Sequence, residues 1–194
     1  MLVAGLFGKV PAHGDFVWRG WPDAVVARLD GWLTDGLSAL RAAAGDEGYG
    51  AAMREAPLWH CWLIGPAGEC VHGVITPTVD SAGRIFMLVA GIAGPAADVW
   101  AVASQHPGFA EQAEAAVYDA LAGGLDADGL AARLAAAVPA VDGVGRFLAS
   151  LSGPAASAFW VPNPAAGPPV ALPAEALNAG TLDTLVRGAM VHAA

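Results

Sequence analysis

The chain has 194 residues, 56% of them hydrophobic and only 14% charged, with a net charge of −9, which argues against disorder and fits one domain over residues 1–194. Its nine Lys and Arg are scattered, so no clustered basic surface exists to bind nucleic acid or an anionic membrane. The longest apolar run, Ile85 to Ala93, is far shorter than the roughly 20 residues a membrane-spanning helix needs. No basic residue precedes the apolar N-terminus as in a signal peptide, so the cytoplasm is the expected compartment.

Residues Leu2–Phe7 are apolar and read as a buried first strand. From Gly8 to Gly20 no period holds, and Pro11, Gly14 and Gly20 give the stretch loop chemistry. Pro22 suits the first turn of a helix, with Asp23 favourably placed against its dipole. Val25, Leu29, Trp32, Leu33, Gly36, Leu37 and Leu40 recur at three- and four-residue steps and predict one long amphipathic helix. Gly45 can end it, and a second, poorer helix is expected over Glu47–Glu55.

Leu58–Ile64 places Trp59, Cys61 and Leu63 on one parity and His60, Trp62 and Ile64 on the other. Both faces are apolar, as in a central strand between helix layers. Cys70–Thr76 and Arg84–Ile92 are the next strands, the latter reached through the turn sequence Asp80-Ser81-Ala82-Gly83. The three predict an antiparallel meander. Phe109, Ala113, Ala116, Val117, Ala120 and Leu121 then form a helical stripe stopped by Gly123-Gly124. Asp126 can cap a helix bearing Leu130, Leu134 and Val138. Ser157–Val161 reads as a short strand, Pro162–Pro173 as a loop and Thr181–Met190 as a terminal helix. The order predicts an α/β (α+β) fold: a mixed, largely antiparallel central sheet flanked by helices.

Few motifs carry chemistry. Gly5-Leu6-Phe7-Gly8-Lys9 fails as a phosphate loop, because Val10 and Pro11 follow where a Ser or Thr and free amides are needed. His13 and Asp15 lack a third ligand at metal-site spacing, with His72 and Asp80 the only groups left for the fold to bring near, so no metal is expected. Asp15 after Gly14 is a natural turn former. No Ser sits in a nucleophile elbow. His60 and Cys61 are adjacent in a strand and point to opposite faces. Cys61 with His72 across the hairpin is the remaining arrangement for a small thiol-dependent enzyme. Cys61 and Cys70 are otherwise expected as free buried thiols. Asp80 and Arg84, four apart around a turn, are placed to pair. Trp32, Trp59 and Trp62 read as core, whereas Trp18 and Trp21 flank Arg19 either as interface anchors or as loop residues folded inward.

The block Gly8-Lys9-Val10-Pro11, continued by Gly14-Asp15-Phe16-Val17 and Arg19, resembles the signature opening of the TagF family of bacterial type VI secretion. Asp30-Gly31-Trp32-Leu33, Ala56-Pro57-Leu58-Trp59, Gly73-Val74, Pro77-Thr78-Val79-Asp80, Gly83-Arg84 with Phe86, and Phe159-Trp160 resemble later family features in the same order. The likeness is dense over residues 1–92 and thin beyond. Thr78 stands for a Ser, Met87 for a Pro, and Ser38-Ala39-Leu40-Arg41 shifts a Ser-Arg pair. The resemblance implies a non-enzymatic cytoplasmic accessory protein without cofactor. It would restrain secretion after translation by binding a system component such as the forkhead-associated scaffold Fha. The phosphatase fused to some relatives is not expected in a chain of this length. A structural assembly factor is the other reading. Lys9, Asp15, Trp18 and Arg19 in the loop, with Asp80 and Arg84 on the turn, are the candidate partner-binding residues.

Overall fold

A computed structural model describes residues 1–161, 170–174 and 177–187. The apolar N-terminus forms strand β1 (Val3–Gly8), and the short strand β2 (Val17–Arg19) folds back on it. Strand β2 lies inside the stretch expected as a loop, because three residues are too few to show an alternation.

Helix α1 runs over Asp23–Glu55 with a break at Gly45, whose φ is 70°. L-residues with a Cβ resist that left-handed conformation, so Gly45 divides the helix into the two pieces that the spacing predicts. The expected stripe is the buried one: Val25, Leu29, Trp32, Leu33, Gly36, Leu37 and Leu40 all face inward. Each fully buried Leu among them is worth about 1.5–3 kcal/mol of transfer free energy.

The meander follows as β3 (Trp59–Ile64), β4 (Glu69–Val79) and β5 (Ile85–Pro95). Strand β4 outruns the predicted Thr76. Its pairing with β3 ends at Ile75, whereas its pairing with β5 continues to Val79. Pro77 therefore sits where β4 has one neighbour only, and its missing N–H removes no bond on the open side.

The chain continues through helices α2 (Ala96–Gln105), α3 (Gly108–Leu121), α4 (Ala127–Ala137) and α5 (Gly143–Ser150). It closes with strands β6 (Ser157–Val161) and β7 (Val170–Ala174) and helix α6 (Ala179–Arg187). The side chain of Asp126 accepts from the Gly129 amide at 2.8 Å, the cap expected for α4. Helices α2 and α5 are not among the expected elements; both are short, ten and eight residues, about two to three turns. Of the loop expected over Pro162–Pro173, residues 162–169 lie outside the described residues, and Val170–Ala174 is a strand instead. The end of the predicted terminal helix, beyond Arg187, also lies outside them.

The strands form one seven-stranded sheet in the order β2-β1-β5-β4-β3-β6-β7. Among the described residues every pairing is antiparallel, and none is parallel. On one face Trp59, Cys61, Leu63, Val71, Ile75 and Val89 pack with α1 and α6. Close approach of these two helices needs Gly36, where a Cβ would lie 2.6 Å from Leu182. On the other face Leu6, Val74, Leu88 and Ala90 meet α3 and α4, and Trp62, Cys70 and Ile92 meet α2 and the start of α3. The result is a three-layer α/β/α sandwich whose β1–β2 loop and β4–β5 tip emerge together at one end.

Candidate functional site

Strand β1 ends in Gly8, whose φ is 136° and whose Cβ, were there one, would lie 2.1 Å from the Met87 carbonyl. Only glycine lets β1 pass so close to β5 and turn into the loop there. The next residue, Lys9, points inward and is 4% exposed.

Its partner is Asp80, 3% exposed at the β4–β5 tip. Lys9 Nζ donates to Asp80 Oδ2 at 2.7 Å, and Arg84 Nε donates to the same oxygen at 2.7 Å. Asp80 Oδ1 accepts from the amides of Ala82 and Arg84, each at 2.9 Å. A buried carboxylate is tolerated when all its lone pairs are engaged in this way. The Lys9 ammonium, reinforced by these amides and by Arg84, holds the Asp80 carboxyl well below the usual range against the opposing pull of burial.

Further bonds stitch the loop to the tip. Arg84 Nη2 donates to the Gly14 carbonyl. The Ser81 amide donates to the His13 carbonyl at 2.8 Å. Phe16 lies edge-on to Phe86 with centroids 4.7 Å apart and stacks on Phe7 at 6.2 Å. Lys9 Nζ sits 5.1 Å from the Phe16 ring centre, a cation–π contact.

The loop is tied to α4 as well. His13 Nε2 accepts from the Ala127 amide, the first of the helix, at 3.1 Å. That role requires a neutral ring with its proton on Nδ1. Arg19 Nε donates to Asp128 Oδ1 at 2.5 Å, and Arg19 Nη1 donates to the Trp18 carbonyl at 2.8 Å. The Arg19 guanidinium in turn lowers the Asp128 carboxyl.

The predicted site residues thus converge on one end of the sheet but divide in role. Lys9 and Asp80 are buried against each other and shape the loop; neither is a surface contact, because their charges are spent internally. Asp15 is exposed, and its Oδ1 accepts from the Phe16 amide at 2.8 Å, the turn former that the Gly14-Asp15 pair suggests. Trp18 and Arg84 are exposed, Arg19 is half-buried, and Trp21 is folded into the core. Pattern reading missed His13 as a helix cap, Phe16 as the aromatic keel of the loop and Asp128 as the partner of Arg19. Only Phe16 had a signal, as the apolar residue inside a polar turn.

The Cys61–His72 pair does not form. Cys61 stands opposite Gly73, and His72 stands opposite Trp62. Their side chains therefore lie on opposite faces of the sheet. Burial pushes the Cys61 thiol up to about 12 and the His72 imidazole down to about 4. His72 Nδ1–H donates to the Cys61 backbone carbonyl at 3.0 Å and makes no contact that would activate the sulfur. Cys61 and Cys70 are free and buried. Among the described residues no group of His, Cys, Asp or Glu is arranged to hold a metal ion.

The fold is thus an antiparallel α/β/α sandwich whose loop is locked by the buried Lys9–Asp80 pair, with the exposed Arg84 closing over it. The model of the TagF N-terminal domain, type VI secretion system-associated, matches residues 5–137, and the chain belongs to that family. The crystal structure of PA0076 from Pseudomonas aeruginosa PAO1 is similar, with a TM-score of 0.74 and 26% identity. The match covers 95% of this chain and 94% of that one. No curated protein matches. No helix among the described residues is long and apolar enough to cross a membrane.

Proposed function

We propose that this type VI secretion-associated protein is a non-enzymatic, cytoplasmic regulator that restrains secretion after translation by binding the forkhead-associated scaffold Fha. The observation that carries the reading is the use made of the signature residues. Lys9, Gly14, Asp80 and Arg84 spend their polar groups on one another, and the loop they hold leaves Phe16 and Trp18 in water. A frame that fixes aromatic side chains at the surface suits recognition of a protein.

Co-purification of the full chain with the scaffold, together with secretion measured in a deletion strain, tests it. Binding with raised secretion on deletion is the expected result. Absence of binding overturns the named partner. Secretion lost on deletion overturns restraint and favours a structural assembly factor.

A further inference from the structure

Between β2 and the first turns of α1 runs a groove of about 390 Å³, walled by Phe7, Phe16, Trp18, Val26 and Ala27. Trp18 is 52% exposed and Phe16 40% exposed. Large aromatics left this open and side by side are the residue type that anchors protein interfaces.

The rim of the groove has one sign of charge. Asp23 and Asp30 lie along it, about two helical turns and roughly 10 Å apart on α1. Neither is in an ion pair among the described residues. Asp30 accepts only the weak hydroxyl contact of Thr34, at 3.3 Å. Of the cations beside the groove, Lys9 is spent on Asp80 beneath the Phe16 ring, and Arg19 is turned away onto Asp128 and the Trp18 carbonyl. That last bond also blunts β2 as an edge for strand addition: the strand has three residues, and its Trp18 carbonyl is already engaged.

The geometry points to this groove as the dock for a segment of a partner protein that presents a bulky apolar side chain flanked by Lys or Arg. The apolar side chain fills the space between Trp18 and Val26. The cation meets Asp23 or Asp30 and lies over the Trp18 ring. An anionic lipid surface or a nucleic acid is repelled by the same rim. The inference deepens the reading of the protein as a regulator that binds a secretion-system component, and it rests on that reading for the source of the segment.

Short overlapping peptides that tile the cytoplasmic proteins of the secretion system, the scaffold included, are probed with the full chain, and those that bind are titrated. The expected hits carry an apolar anchor within one helical turn of a Lys or Arg. Trp18→Ala weakens them about tenfold or more. The double variant Asp23→Asn, Asp30→Asn weakens them several-fold at low salt and less at high salt. Val79→Ser, at an exposed residue of a different groove, leaves them unchanged. All these positions are exposed, so each variant keeps its fold and melts within a few degrees of the parent, the small loss at Asp23 being that of a first-turn charge on α1. No bound peptide, hits without a cation, or hits insensitive to Trp18→Ala overturn the inference, as does self-association abolished by Trp18→Ala, which would make a second copy the occupant. Scaffold that binds parent and Trp18→Ala equally defeats the groove and leaves the regulator reading standing. Groove-dependent peptides from another component alone defeat the named scaffold and leave the groove standing.

Discussion

Two buried polar clusters can be set side by side in this molecule. At the end of the sheet, Asp80 gathers two cations and two amides: the Ala82 and Arg84 bonds close its own turn, and the Lys9 bond ties that turn to the loop after β1. On the α3 side of the sheet centre, His60 Nε2 lies 2.6 Å from Glu114, while His72 stacks on Trp160 with centroids 5.9 Å apart. In that second cluster the Nε2 of His72 and the Nε1 of Trp62 have no hydrogen-bond partner among the described residues. The first cluster is charged and satisfied, and it positions a surface loop. The second holds a neutral imidazole among aromatic rings and behaves as core. Burial alone therefore does not say what a polar group does; that is read from what its bonds hold in place.

Substitutions can break that contrast. The largest effect is expected from Asp80→Ala, which leaves the Lys9 ammonium buried without its counter-charge. Removal of one partner of a buried pair is strongly destabilising, and a fall in Tm of roughly 10 °C is expected by calorimetry. Proteolytic cleavage within residues 9–16 should rise with it.

The two clusters also separate by pH. His72 is held neutral at about 4 against 6.5 for the free side chain. Its lowered value means that the unfolded chain binds a proton the folded chain refuses as pH falls from 6.5 to about 4. Stability therefore drops over that window by up to about 3 kcal/mol. His72→Phe should flatten this slope in chemical denaturation series. Asp80 contributes stability that is complete above its unfolded value of about 3.9 and is lost only as pH falls below it. Asp80→Asn should thus alter the curve below about pH 4 and leave the higher window unchanged in shape.

A smaller effect is expected of the outer bridge. Arg19→Gln removes an exposed ion pair to Asp128 and should cost about 0.2–1 kcal/mol, less at high salt, by the same denaturation assay. The smallest is the thiol response. Cys61 and Cys70, raised to about 12 and about 11 by burial, should resist alkylation at neutral pH until the chain unfolds. Reaction of native Cys61 would contradict the buried geometry.

Much of the frame was legible in the chain. The α1 stripe, the two apolar parities of β3, the Asp80–Gly83 turn and the Asp126 cap are local patterns, and each reports its own element. Asp80 with Arg84 was also legible, since four residues around a turn bring the two together. Lys9 was not: its partner is 71 residues away, and no spacing rule spans that distance. Asp128, 109 residues from Arg19, was hidden for the same reason. The three-residue β2, the ten-residue α2 and the eight-residue α5 are too short for a period to stand out over many repeats.

What the chain by itself determined was the set of elements with strong periods, the meander, and the signature loop between Gly8 and Arg19. What only the tertiary structure decided was the use of those residues. Strand register is the physical reason in one case: Cys61 opposite Gly73 puts the thiol and His72 on opposite faces, and a shift of one residue would have reversed that. Long-range electrostatics is the reason in the other: Asp80 takes the Lys9 charge into the interior, so the loop meets the outside world through Phe16 and Trp18.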